Sequence, residues 1–161
     1  MIAYYNSPVG CLEITASEKG ISSLYFMEEH KHNSRPKGGI MKDCLDQLKE
    51  YFSGKRKSFE LELEPQGTEF QKKVWKELLN IPFGETITYL ELSRRIGNTE
   101  AIRAVGNANG KNPVSIIIPC HRVIGASGKL IGYGGGLPRK KWLLDFERSF
   151  YQKDLFPYDF K

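Results

Sequence analysis

The chain has 161 residues, 40% of them hydrophobic and 27% charged, with a net charge of +5, the ordinary mix of a globular protein with one domain or two small ones. That excludes a disordered chain and a large multidomain machine. No apolar stretch approaches the roughly 20 residues that cross a bilayer, and Met1-Ile2-Ala3-Tyr4-Tyr5 lacks the basic start of a signal peptide, so a soluble cytoplasmic protein with no membrane partner is expected.

Ala3-Tyr4-Tyr5, the turn Asn6-Ser7-Pro8-Val9-Gly10, the alternating Leu12, Ile14 and Ala16, the turn Ser17-Glu18-Lys19-Gly20 and the run Ile21 to Phe26 predict an antiparallel meander. The polar stretch from Glu28 to Gly39 reads as a loop. Ile40, Cys44, Leu45, Leu48, Tyr51 and Phe52 then recur at helical spacing until Gly54 stops them. Phe59, Leu61 and Leu63 alternate with Glu60, Glu62 and Glu64, the pattern of a strand with one wet face ending at Pro65. The first part of the chain, 1–65, is therefore α+β, and it carries a net charge of −1.

Residues 66–150 carry +6, and residues 151–161 carry no net charge and no strong pattern, like an appendage. Neutralising phosphates releases counterions whatever the base sequence, so the basic part points to nucleic acid; a merely solvated basic surface gives the same count. Thr68-Glu69-Phe70-Gln71 is a capping box, followed by a stripe of Phe70, Val74, Trp75, Leu78 and Leu79. A second box, Thr88-Tyr89-Leu90-Glu91, starts a short helix that stops at Gly97, and Thr99 caps another running to Gly110. Two short helices around a tight glycine turn have helix-turn-helix spacing. Ala101, Ala104, Gly106, Ala108 and Gly110 leave the second helix nearly bare, fit either for tight packing inside the domain or for close approach to a nucleic-acid groove, with Arg103 projecting. After Asn112-Pro113 come the apolar run Ile116-Ile117-Ile118, read as a strand leading to Cys120, and a glycine-rich loop from Gly125 to Gly136. A last helix follows, with Pro138 at its start and Trp142, Leu143 and Phe146 on its buried face.

The three cysteines, Cys11, Cys44 and Cys120, have no paired spacing, so at least one thiol is free. Cys44 and Cys11 read as small buried hydrophobes on a helix face and in a strand. Cys120, between Pro119 and His121-Arg122 in the most basic part of the chain, has surroundings expected to depress a thiol pKa. It is the candidate nucleophile, with His121 as its base and Glu147 or Asp145 as the group that orients the ring if the last helix folds back. A metal set of Cys11, His30, His32 and Cys44 matches no zinc spacing.

Ile118-Pro119-Cys120-His121-Arg122-Val123 resembles the active-site signature of the O6-alkylguanine-DNA alkyltransferases. The likeness continues through Pro82-Phe83-Gly84-Glu85-Thr86, Tyr89, Arg103-Ala104-Val105-Gly106, Gly110-Lys111-Asn112-Pro113-Val114, Tyr133, Gly135-Gly136-Leu137, Trp142-Leu143-Leu144 and Glu147. It implies a small ribonuclease-H-like sheet with a helix in 1–65 and a mostly helical, winged-helix-like domain in 66–150. It further implies that Cys120 takes an alkyl group from O6-alkylguanine, and possibly from O4-alkylthymine, in double-stranded DNA, once and irreversibly, after the nucleotide is flipped out. His121 would remove the thiol proton through a water, Glu147 orient His121, Tyr89 donate toward guanine N3 and Asn112 hold the turn before the cysteine. Arg103, Ala104, Gly106, Lys111, Arg122 and Tyr89 would meet DNA, Arg103 filling the gap in the stack. Val123, Tyr133, Gly134 and Gly135 would line the base pocket, Gly134 standing where relatives commonly carry serine. A thioether offers water no carbonyl to attack, so the chain would be consumed as a monomeric acceptor without any cofactor. Thr15 to Ser22 lacks the cysteine and histidine of zinc-bearing members, so no metal is expected. The rivals are a DNA-binding regulator that senses alkylation or redox state through Cys120, and a papain-type thiol hydrolase. The first would want a second DNA-reading module, and the second brings its Cys and His together from distant positions.

Overall fold

The computed structural model describes residues 1–151; the expected appendage, but for Tyr151, lies outside the described residues. The described chain forms two compact units, one of residues 1–66 with 113–117, the other of 67–112 with the described residues from 118 on.

The first unit is a meander of β1 (Ile2–Ser7), β2 (Gly10–Ala16) and β3 (Ile21–Met27), antiparallel in the order β1-β2-β3, with α1 (Gly39–Phe52). Ser7 pairs with Gly10 across a two-residue turn, and Gly10 takes a φ of +120° that favours glycine. The alternation puts Leu12, Ile14 and Ala16 into the core, and α1 buries Met41, Cys44, Leu45, Leu48 and Tyr51. Both sheet edges are covered, which keeps their backbone groups from pairing with another chain. The Ser34 hydroxyl and the Asn33 carbonyl oxygen accept from the amides of Tyr4 and Asn6 at 2.9 and 2.8 Å on the β1 side. On the β3 side, Ile21 bonds Glu62 and Glu64, and Leu24 bonds Pro113 and Ser115.

The expected strand at 59–63 shrinks to one parallel bridge, Ile21 to Leu63. The physical reason lies in Gln47 of α1, whose side chain accepts from the Glu60 amide at 2.8 Å and donates to the Glu60 carbonyl at 3.1 Å, occupying the groups a longer ladder needs. The in-out alternation survives: Phe59, Leu61 and Leu63 are half-buried while Glu60 and Glu62 are exposed.

In the second unit, α2 (Glu69–Leu78) begins with both arms of the expected capping box, Thr68 with Gln71. Val74, Trp75 and Leu78 are buried, but Phe70 and Leu79 of the expected stripe are 37% and 49% exposed. The short strand β4 (Ile87–Thr88) leads into α3 (Tyr89–Ile96). Thr88 caps α3 by accepting from the Glu91 amide; Glu91 turns its carboxylate to Arg95 and Arg94. Gly97 ends α3 at φ +97°, a left-handed stop that favours glycine. Asn98, not Thr99, then caps a 3₁₀ turn that leads into α4 (Ile102–Gly110). Trp75 Nε1 donates to the Ala108 carbonyl at 2.8 Å, so the small residues of α4 serve packing on one side, while Arg103, Ala104 and Asn107 face outward on the other.

The run Ile116-Ile117-Ile118 is buried but is no strand. Ile116 takes φ +71° and the Ile117 amide bonds back to Ser115 at 2.8 Å, so the chain turns where an extended segment was expected. A 3₁₀ turn (Cys120–Arg122) feeds β5 (Val123–Ile124), which pairs in parallel with β4. The last helix, α5 (Leu137–Arg148), has its proline in the first turn as expected. Its buried face is Lys140, Leu143, Leu144 and Glu147; Trp142 and Phe146 are only half-buried and stack on each other with centroids 5.0 Å apart.

Candidate active site

Three consecutive residues, Cys120, His121 and Arg122, wind into one turn of 3₁₀ helix, and all three are buried. Adjacent side chains in an extended strand point to opposite faces, whereas this tight turn lets α5 reach both His121 and Arg122. Glu147 Oε2 lies 2.8 Å from His121 Nε2, and the two carboxylate oxygens accept from Arg122 Nε and Nη2 at 2.8 and 2.9 Å. Arg122 Nη1 donates to the Ile81 carbonyl at 2.7 Å, its guanidinium stands 5.8 Å from the centre of the Phe83 ring, and the Gly84 amide donates to Glu147 at 3.3 Å. Asp145, the other candidate for orienting His121, is exposed and paired with Lys141.

Burial alone would push the Glu147 carboxyl up. Hydrogen bonds from His121 and Arg122, with the charge of the Arg122 guanidinium, outweigh it and hold the group well below the usual carboxylate range. Burial lowers the pKa of His121; Glu147 opposes that, but the nearby cations Arg122 and Lys140 reinforce it, and the ring stays neutral. A neutral imidazole beside a carboxylate donates from Nε2, which leaves Nδ1 as the acceptor, and Nδ1 has no protein hydrogen-bond partner among the described residues.

The expectation of a depressed thiol pKa at Cys120 is corrected by the same physics. Burial pushes the thiol up, and a hydrogen bond from Asn112 together with the charge of Lys140 recovers only part of that. The candidate nucleophile therefore rests as a protected, protonated thiol.

Asn112 also donates to the Ile118 carbonyl at 2.8 Å, closing the turn ahead of Cys120. Tyr89, at the start of α3, donates its hydroxyl to the Ile131 carbonyl at 3.0 Å, and a side chain on Gly106 would come to 3.7 Å from its ring. Arg103, Ala104 and Lys111 are exposed on or just after α4, and Gly106 is half-buried under the Tyr89 ring. Arg122, expected at the DNA surface, is not there: it is buried and its guanidinium is taken by Glu147 and Ile81. Val123 is buried, Tyr133 and Gly135 are half-buried, and Gly134 is exposed with open space where a side chain would stand.

Two residues of the site escaped the sequence reading. Lys140 is fully buried, and its ammonium donates to the carbonyls of Val123, Ile131 and Gly132 at 2.7, 3.0 and 3.2 Å while standing 5.8 Å from the Tyr89 ring centre. Burial pulls its pKa down to about 8 against the attraction of Cys120. Its position three, four and seven residues before Leu143, Leu144 and Glu147 was the available clue, since all four share one helix face. The other is Asn109, whose Nδ2 lies 3.4 Å from the Cys120 carbonyl; nothing in its spacing marked it.

Comparison with known proteins addresses the family of the chain. Residues 1–65 match the family description "6-O-methylguanine DNA methyltransferase, ribonuclease-like domain", and residues 69–149 match its DNA binding domain. A methylated-DNA–protein-cysteine methyltransferase of Mycobacterium tuberculosis is 48% identical over 158 residues, 96% of each chain; one from Methanosarcina mazei is 47% identical over 154 residues, 91% of this chain and 98% of its own. Among solved structures, the M. tuberculosis O6-methylguanine methyltransferase superposes with a TM-score of 0.82 at 45% identity, covering 96% of this chain and 98% of that one. A structure of the M. tuberculosis protein in complex with DNA gives 0.83 at 47% identity over 92% and 93%. With matching domains over both units and a relative of near-half identity along almost its whole length, this chain belongs to the 6-O-methylguanine DNA methyltransferase family.

Proposed function

We propose that the protein repairs DNA by direct reversal, transferring the alkyl group of O6-alkylguanine in a duplex to Cys120 in a single irreversible turnover. The observation that carries this reading is the row Cys120, His121, Glu147 buried in the same compact unit as a helix-turn-helix. The regulator reading is less favoured, because the relatives this chain matches along nearly its whole length are named methylated-DNA–protein-cysteine methyltransferases.

The exposed face of α4 enters the groove, with Arg103 filling the gap left by the flipped nucleotide and Lys111 on the phosphate backbone. His121, its Nε2–H fixed on Glu147, accepts the thiol proton at Nδ1 through a water. The thiolate attacks the alkyl carbon, the carbon–O6 bond breaks, and its electron pair passes to the purine as Tyr89 donates a proton to N3. Arg122 keeps Glu147 ionised and is a structural partner, not a DNA contact. Lys140 supplies positive charge near the sulfur as the thiolate forms, and it holds the loop that carries Tyr133, Gly134 and Gly135 to the base. The product is a thioether, so the acceptor is not regenerated.

The experiment is intact-mass analysis after mixing the protein with excess duplex carrying O6-methylguanine. One methylene of added mass per chain, mapped to the Cys120 peptide and absent in Cys120→Ala, is the expected result. Multiple turnovers, or a wild type that stays unmodified, sink the reading.

A further inference from the structure

Asn109 has no part in the roles just described, yet it lies among the groups that react. It sits on α4, 3% exposed, with Nδ2 3.4 Å from the carbonyl oxygen of Cys120. That oxygen can only accept, so it fixes which end of the amide faces the nucleophile loop. The same side chain hydrogen-bonds the oxygen of Tyr89 and lowers its proton affinity, against burial and the charge of Cys120, which both raise it. Among the described residues nothing donates to Asn109 Oδ1. A buried acceptor without a donor is a cost that an apolar side chain of similar volume would not carry, so the amide is accounted for by what its N–H groups do.

We propose that Asn109 is a positioning residue for the transfer, its amide N–H groups tying the Cys120 carbonyl to the Tyr89 oxygen and holding the phenolate that forms when Tyr89 protonates the departing purine. This rests on the alkyl-transfer reading above. At rest the Tyr89 hydrogen is engaged by the Ile131 carbonyl at 3.0 Å. During transfer the carbon–sulfur bond forms, the carbon–O6 bond breaks, and the purine takes the Tyr89 proton at N3. The proton that left Cys120 by way of His121 then restores the phenol, so one proton leaves the thiol and one reaches the guanine. Tyr89 is half-buried in the free protein; once a bound duplex covers it, a phenolate forming there needs donors already in place. The Asn109 amide is such a donor, and the Lys140 ammonium adds its charge from 5.8 Å.

The test uses Asn109→Leu and Asn109→Ser in the full chain. Single-turnover transfer from an O6-methylguanine duplex is measured beside alkylation of Cys120 by iodoacetamide, which needs no proton donor. Transfer is expected to slow about tenfold, the scale of one hydrogen bond to a charged oxygen, with the iodoacetamide rate within about twofold of wild type. In a Tyr89→Phe background, Asn109→Leu should add no further loss. Tyr89, followed by ¹³Cζ-tyrosine NMR in the wild type and Asn109→Ser, should titrate at higher pH in the variant. Parallel loss of both reactions, an additive loss with Tyr89→Phe, or an unmoved Tyr89 titration overturns the proposal. Should Asn109→Leu fail to fold, the serine variant and the titration still decide. If the wild type takes no methyl group from the duplex, the alkyl-transfer reading fails, and the titration separately reports whether Asn109 acts on Tyr89.

Discussion

Glu147→Gln perturbs one atom of the site and asks two questions at once. The native carboxylate is the acceptor for His121 Nε2, Arg122 Nε and Arg122 Nη2, all within 2.9 Å, and for the Gly84 amide at 3.3 Å. An amide keeps one oxygen for four donors and turns an NH₂ group toward N–H groups that cannot accept. Arg122 then stays buried with no counter-charge, a change of the kind that costs about 3–5 kcal/mol. At about 2–4 °C per kcal/mol for a chain of this size, the melting temperature falls by about 10 °C. His121 loses the acceptor that holds its proton on Nε2, so general-base help is forfeited and transfer slows about a hundredfold or more. The assay is single-turnover transfer well below the melting point of the variant, beside a thermal melt and a DNA-binding titration, in which affinity should stay within about twofold. A variant that melts and reacts like wild type refutes the reasoning; equal losses in affinity and rate remove Glu147 from the relay. The pH dependence has a definite sign. Because the carboxyl titrates below its ordinary 4.5 in the folded chain, its stabilisation is present above about pH 4.5 and is lost as pH falls below that value.

Other expectations follow from the same geometry. Lys140 titrates near 8 when folded and at 10.5 when not, so the unfolded chain binds more protons between those values. Wild-type stability relative to Lys140→Met should therefore rise across pH 8–10.5 by about 3 kcal/mol, at 1.36 kcal/mol per unit; a flat difference in denaturant melts contradicts it. Lys111→Ala should weaken binding to every duplex alike and flatten the salt dependence by about one counterion. Arg122→Lys should lower the melting temperature and leave that salt slope unchanged; a shallower slope would return Arg122 to the DNA surface. Asn112→Ala removes one of two 2.8 Å donors to the Ile118 carbonyl, the Cys120 amide remaining, so a loss of about 1 kcal/mol in stability is expected together with slower transfer. An unchanged melt would show that the turn before Cys120 holds without it.

The sequence made much of this protein legible, for reasons that are local. The meander, the Thr68–Gln71 box, the Gly97 stop and the proline in the first turn of the last helix rest on neighbours a few residues apart. Their chemistry is visible along the chain. The candidate nucleophile stood out because Pro119-Cys120-His121-Arg122 is one contiguous string, and family likeness attached proposed roles to it. The misreadings share a different cause. The strand expected at 59–63 failed because Gln47, more than ten residues earlier, takes the backbone of Glu60. The apolar run before Cys120 reads as a strand by composition, yet Ile116 turns it.

What the chain alone determined is most of the elements, where the candidate thiol lies and which family the protein resembles. What only the tertiary structure decided is the electrical state and access of the groups around that thiol: Arg122 turned inward to Glu147 instead of outward, Lys140 buried on three carbonyls, the thiol protonated at rest. A pKa and an accessibility are set by desolvation and by partners, and here those partners sit 26 positions from His121 and 25 and 41 from Arg122. No periodicity in a linear sequence encodes which distant carboxylate or carbonyl will end up within 3 Å of a given nitrogen.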